Sequence, residues 1–259
     1  MKVKTFFLFL MFPILANCQI KQLHFKGGNR SLPLPIERIA VLEKHDYAKL
    51  WIQTDNAQVF GFIGDNYQRI RIKIISVTKD SADGSLYHVA GKSMVKNNVC
   101  NFKGVIKISG IRRYKETSYG VDDSYRNKVK GQYSLTGNYT FYEVKTQNHT
   151  GIFKGIFQTD FYVNKQNDII YDDIDMQADG FSNNQFVGSW TSYNSTATKT
   201  CNWGDYRMPN SGKFDVGAGE FSPDAKDKSL GWQTIVDRFS QDKIKQSAAK
   251  KEEERAWWK

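Results

Sequence analysis

Ile152-Phe153-Lys154-Gly155-Ile156-Phe157-Gln158-Thr159-Asp160-Phe161-Tyr162-Val163-Asn164 is the stretch whose reading decides the fold. Residues two apart in a strand share a face. Phe153, Gly155, Phe157, Thr159, Phe161 and Val163 therefore lie on one side. Lys154, Gln158 and Asp160, with Ile156 among them, lie on the other. This alternation predicts a strand with one buried face. Its opening pattern, Phe-x-Gly-x-large apolar, occurs three times: Phe102-Lys103-Gly104-Val105-Ile106, Phe153-Lys154-Gly155-Ile156-Phe157 and Phe186-Val187-Gly188-Ser189-Trp190. A glycine inside a strand gives up stability and marks a bend, a bulge or the close approach of another backbone. Three such marks predict an antiparallel sheet that curls, or closes.

The sequence on either side extends this pattern. Ile70, Ile72 and Ile74 alternate with Arg69, Arg71 and Lys73, a half-buried strand with a basic outer face. Residues 86–95 and 99–111 predict a hairpin across Lys96-Asn97-Asn98, and residues 132–145 pair with 152–164 across a second turn. Residues 168–178 and 185–193 read as a third hairpin turning at Asp179-Gly180. Residues 47–53, 59–63 and 198–206 read as further strands. Residues 36–44 have helical spacing after Pro35, and residues 112–130 read as a long loop. Trp232, Ile235, Val236 and Phe239 fall at i, i+3, i+4 and i+7, one face of a helix. Beyond Gln241 the composition turns to Lys, Glu, Gln and Ala, with little to bury, and Trp257-Trp258 read as a frayed end. The expected organisation is a targeting segment at 1–18, a β-rich domain at 19–226, and a C-terminal helix and charged tail at 227–259. The fold class is all-β: a curled antiparallel sheet or barrel-like meander with a C-terminal α-helix.

Composition agrees. Of 259 residues, 40% are hydrophobic, enough for a real core, and Phe and Tyr supply 30 of the 36 aromatics. Only five residues are proline. Val, Ile, Thr and Tyr in short alternating runs favour strands. The formal net charge is +10, or +8 once Lys2 and Lys4 are removed with a leader. A basic surface attracts anionic partners and also keeps a protein soluble.

Lys2 and Lys4 precede an apolar run at residues 6–15, which is too short to span a bilayer as a helix. This is an export signal. Leu15-Ala16-Asn17-Cys18 is similar to the lipobox of bacterial lipoproteins, with Asn17 where that pattern prefers a small residue. Two outcomes fit: acylation of Cys18, which anchors the protein in a membrane, or cleavage before Gln19, which leaves it periplasmic or secreted. Cys100 and Cys201 remain. In an oxidising compartment they form either a disulfide or two buried thiols.

The sequence carries no nucleophile elbow, P-loop, dinucleotide fingerprint or zinc-protease helix, so it names no catalytic residue, cofactor or metal. Asp168, Asp172, Asp173, Asp175 and Asp179 form an acidic run, the best metal or carboxylate candidate, read as a solvated strand or, alternatively, as carboxylates of a polysaccharide-active hydrolase. Trp190, Tyr193, Trp203 and Tyr206 are the candidate ligand-binding aromatics, since flat rings bind sugars, lipid tails or peptides when they line a groove. Arg69, Arg71, Lys73, Lys103, Lys107, Arg112 and Arg113 suit an anionic partner, with no nucleic-acid-binding motif around them.

Three strings carry a resemblance: residues 61–69 (GFIGDNYQR), 147–155 (QNHTGIFKG) and 201–207 (CNWGDYR). They look like those of a family of exported bacterial proteins with no assigned activity. The likeness covers most of residues 36–236. It implies export and a β-rich body, and it supplies no catalytic residue. The expectation is a binding or interaction module at the cell envelope, for a ligand or partner the sequence does not name. The alternatives are the hydrolase and a structural envelope lipoprotein held through Cys18.

Overall fold

The structure is a computed structural model that describes residues 45–214, 221 and 223–259. The leader, Cys18 and the helical spacing at 36–44 lie outside the described residues. Nine strands follow one another: β1 (Val59–Ile63), β2 (Gln68–Lys79), β3 (Leu86–Val95), β4 (Asn98–Arg113), β5 (Val129–Glu143), β6 (Gly151–Asn164), β7 (Ile169–Tyr171), β8 (Asn183–Ser192) and β9 (Thr198–Asp205). Every pairing is antiparallel. The order runs β1-β2-β3-β4-β5-β6-β8-β9, and β9 returns to β1 with Val59 opposite Asp205 and Ile63 opposite Cys201. The sheet is thus a closed ring of eight strands, which leaves no long edge to template aggregation. The ninth strand, β7, adds to β6 at Phe161–Val163, beyond the last β8 partner at Gln158.

The ring is filled by its own inward side chains. Phe102, Ile106, Tyr139, Phe141, Phe153, Phe157, Phe161, Phe186 and Trp203 are all buried in one core. Trp203 stacks on Phe186 at 4.8 Å and meets Tyr139 edge-on at 5.0 Å. One end of the ring carries the short turns after β1, β3, β5 and β8. The other is plugged by a 3-10 turn, Ala48–Trp51. There Trp51 packs edge-on against Tyr87 at 5.2 Å and donates from Nε1 to Thr159 Oγ1 at 2.9 Å. Residues 47–53 are therefore not a strand. Their apolar side chains do not alternate onto a sheet but wedge Tyr47, Leu50 and Trp51 into the barrel mouth.

The repeated glycines are where walls and rings meet. Gly155 pairs with Gly188 on β8 and with Tyr139 on β5. A Cβ at Gly188 would lie 2.3 Å from the Lys154 carbonyl oxygen and 2.6 Å from Tyr139 Oη. At Gly104 it would lie 2.0 Å from the Thr140 oxygen. Both distances are far inside van der Waals contact, so only glycine fits.

The third predicted hairpin is corrected. Residues 169–171 pair with β6 rather than β8, and β8 pairs with β6 and β9. Asp172 leaves the sheet because its carboxylate is held by Gln132 Nε2 at 2.7 Å. The loop after Arg113 packs against the barrel: Tyr119 and Tyr125 lie on Val129, Tyr162 and Ile174 over the outside of β6 and β7.

Outside β1, Phe60 and Phe62 are covered by Met208, Phe214, Phe221, Trp232 and Ile235. The predicted helix is short, α1 (Gln233–Asp237), so Trp232 and Ile235 are buried while Phe239, past its end, is 60% exposed. The chain then forms α2 (Lys243–Glu254), opened by Asp242, whose side chain accepts from the backbone N–H groups of Ile244 and Lys245. The tail is not frayed. Glu253 accepts from Arg69 Nη1 and Nη2 at 2.8 and 2.6 Å and from Arg71 Nη2 at 2.6 Å. Trp257 Nε1 donates to Asn56 Oδ1 at 2.8 Å, and Lys73 Nζ lies 5.0 Å from the Trp258 ring. Thr234 Oγ1 donates to Glu253 as well, but the two arginine partners of Glu253 stand more than 180 positions upstream, out of reach of any local reading.

Candidate functional site

The four candidate aromatics do not share one groove. Trp203 is core. Trp190 and Tyr193 lie at the turn end of the barrel, where β5 places Glu143 on its inward face in the same alternation as Tyr139 and Phe141. Glu143 accepts from Trp190 Nε1 at 2.9 Å and from the Gly151 N–H at 2.9 Å, and Ser93 Oγ also donates to it. Tyr193 Oη donates to the Glu143 carbonyl at 3.1 Å. Burial raises the Glu143 carboxyl, and these donors pull it back only in part. Tyr206 belongs to the plugged end. It has φ 64°, meets Phe181 edge-on at 5.0 Å and donates to Met176 Sδ at 3.2 Å.

A second buried carboxylate sits at that plugged end. β9 turns Cys201, Trp203 and Asp205 inward by alternation, and Asp205 closes the row. Its Oδ2 accepts from Thr54 Oγ1 at 2.7 Å, Tyr171 Oη at 2.9 Å and Asn184 Nδ2 at 2.7 Å. Burial pushes Asp205 up to about 6 against those three donors. Sequence reasoning missed Glu143 and Asp205. The available signal was a carboxylate at an inward position of an otherwise apolar row.

The acidic run serves architecture. Asp172 is 0% exposed and accepts from Gln132 and from the Ile174 N–H. Asp175 accepts from Ser118 Oγ at 2.9 Å, tying the 114–128 loop down. Burial raises Asp173, which is half-buried. Among the described residues no group of three or more His, Cys, Asp or Glu side chains is placed to hold a metal ion.

Cys100 and Cys201 are both buried free thiols, so the disulfide alternative is overturned. They sit on β4 and β9, four strands apart whichever way the ring is followed. Burial pushes Cys100 up to about 11, and it raises Cys201 as well.

Nor do the seven basic residues make one free face. Arg69 and Arg71 are buried beneath α2, Lys107 is paired with Asp83, and Arg113 lies over the Tyr133 ring at 5.9 Å. Beside the β1–β2 turn, the outer wall has an open depression of about 330 Å³ lined by Phe62, Asp65, Tyr67, Val187, Thr200 and Asn202 among others. No family model, curated protein or solved structure matches the chain.

Proposed function

We propose that this protein is an exported, non-enzymatic interaction module of the cell envelope that works through the outside of its barrel. The observation that carries this reading is the filled interior. Among the described residues, aromatic side chains occupy the ring from wall to wall, which argues against a ligand entering it. Trp190 and Tyr193, which would line a mouth, are instead engaged by Glu143. The hydrolase alternative needs two carboxyl groups facing each other across a cleft, whereas Asp172 and Asp175 are taken up by loop-anchoring hydrogen bonds. Export rests on the basic, apolar and abruptly ended leader. Cell fractionation and intact-mass measurement of the protein from its own host test the reading. An acylated Cys18 or a chain beginning near Gln19 is expected. An unprocessed chain beginning at Met1 in the cytoplasm overturns export. A polysaccharide-cleaving activity that Asp173→Ala abolishes overturns the non-enzymatic part.

A further inference from the structure

Part of the charge on this barrel is paired. Arg69 and Arg71 meet Glu253, Lys107 meets Asp83, His88 meets Asp80, Lys213 meets Asp227 and Lys228 meets Asp237. Other lysines, such as Lys49, Lys115, Lys128 and Lys165, also have no ion pair among the described residues but are scattered, whereas one group is gathered in a single region. At the turn end and on the wall formed by β3 to β6, Lys92, Lys96, Lys103, Lys145 and Lys154 point outward with no carboxylate in reach among the described residues. Register places them together. Lys92 lies opposite Asn101, Lys103 opposite Tyr142, and Tyr142 opposite Ile152; Lys154 is two residues further along β6. Lys96 tips the β3–β4 turn, and Lys145 follows β5 with its Nζ 5.1 Å from the Tyr193 ring. The acidic residue on β5 in this region, Glu143, faces inward and is buried. Asp65, the exposed carboxylate on the rim, stands at the β1–β2 turn, where Lys199 lies beside Gly64. Between the five lysines, Tyr142 is 51% exposed and Val144 is 42% exposed.

We infer that this lysine-studded end and wall dock on the headgroup layer of an anionic lipid bilayer. The inference rests on the envelope reading above and names the partner for it. Charge complementarity makes the occupant anionic, since unpaired lysines near a negatively charged leaflet are drawn to it. The shape selects a bilayer over a single anionic polymer chain. The ring's outer wall curves away at β3 to β6, and the depression beside the β1–β2 turn is lined by none of the five lysines, whereas a bilayer presents many headgroups at once. The interleaved residues fit as well: tyrosine suits the headgroup level, and lysines reach past apolar neighbours to keep their charge in water.

The test is co-sedimentation with phosphatidylcholine vesicles with and without phosphatidylglycerol, using the chain from Gln19 onward, which retains every strand of the closed ring. Binding is expected on the anionic vesicles alone and is lost at high salt. The triple variant Lys103→Gln, Lys145→Gln, Lys154→Gln should partition roughly a hundredfold more weakly, from three exposed lysines each acting near the surface. Its melting temperature should be unchanged, because all three side chains are exposed. Equal binding to neutral vesicles overturns the inference, as does undiminished binding of the variant or binding to anionic polysaccharide with none to vesicles. Should vesicle binding fail while the native protein is still exported, this inference falls and the envelope reading stands. An unprocessed cytoplasmic chain removes the envelope reading itself.

Discussion

Tyr139 shows how tightly single residues are constrained. Its ring fits because Gly155 and Gly188 lie beneath it, yet its hydroxyl is buried without a hydrogen-bond partner among the described residues. A buried donor left unpaired costs about 1–3 kcal/mol. Tyr139→Phe should therefore raise stability by about 1 kcal/mol in urea unfolding, against the usual direction for a core substitution. Gly188→Ala should lower it by about 2–3 kcal/mol through overpacking, and by less in the Tyr139→Phe background, since the two sites share a contact. An unchanged or lower stability of Tyr139→Phe would mean that the hydroxyl is satisfied. Asp205 makes a pH-dependent contribution. Its carboxyl is raised to about 6 in the folded protein from an ordinary 3.8. A raised acid contributes stability that is fully present below its unfolded value and is lost as pH climbs through the folded one. Between pH 4 and 7 Asp205 should thus remove about 2 kcal/mol. Glu253 works the opposite way. Burial alone would raise it, but Arg69 and Arg71 outweigh burial and hold it at about 2, so its contribution is lost only as pH falls below 4.5. Urea titrations at several pH values should show a shallower decline from pH 4 to 7 in Asp205→Asn than in the parent. Parallel profiles would remove Asp205 as the cause. At this scale the Phe-x-Gly pattern was readable from sequence, because a glycine in an apolar row has few uses. The partners of Glu143 and Asp205 were not, because hydrogen bonds across a barrel have no local spacing.

Among the elements, the long strands were readable because one face of each is apolar and period two leaves little ambiguity. β6 buries Phe153, Phe157, Thr159 and Phe161 as its alternation predicts, and departs from it where Asp160 and Tyr162 on the outer face are covered by the 114–128 loop. The errors fall where a polar side chain decides the backbone. Asp179-Gly180 has the composition of a hairpin turn, but Asp172, Asn183 and Gln132 hold each other at the plugged end and carry the chain out of the sheet after Tyr171. α2 is the clearest case. By composition it has nothing to bury, and only Ala249 and Glu253 are buried in it. Its attachment therefore depends on the ion pairs with β2. Removing one partner of a buried pair leaves uncompensated charge and costs about 3–5 kcal/mol. Glu253→Ala should release α2 as a local unit rather than unfold the barrel. Trypsin cleavage after Lys250 and Lys251 should then speed up at least tenfold, with little change in the urea midpoint of the barrel. Cleavage at the parental rate would show that Trp257 and Trp258 hold the tail without the carboxylate.

At the scale of the whole molecule the decisive property is closure, which the sequence left open between a curled sheet and a barrel-like one. No local signal states that the first and last strands of a meander meet; that depends on the summed bend and twist of every strand between them. The two cysteines report on it. Neighbouring strands lie about 4.8 Å apart, so opposite walls of an eight-stranded ring stand about 15 Å apart. A disulfide needs Cα atoms within about 7 Å. Cys100 and Cys201, on opposite walls, cannot bond while the ring is closed, and burial keeps both in the poorly reactive thiol form. Cys201 also sits in the closing seam, paired with Ile63 on β1 and Gly188 on β8. In the chain from Gln19 onward, native protein should gain no hydrogens on reduction. Both thiols should label with an alkylating reagent only as fast as the whole domain unfolds. A seam that opened by itself would give a different pattern, with Cys201 labelling ahead of global unfolding and Cys100 still protected. Equal, slow labelling of both therefore distinguishes a barrel that opens only by unfolding from a curled sheet whose first and last strands merely touch.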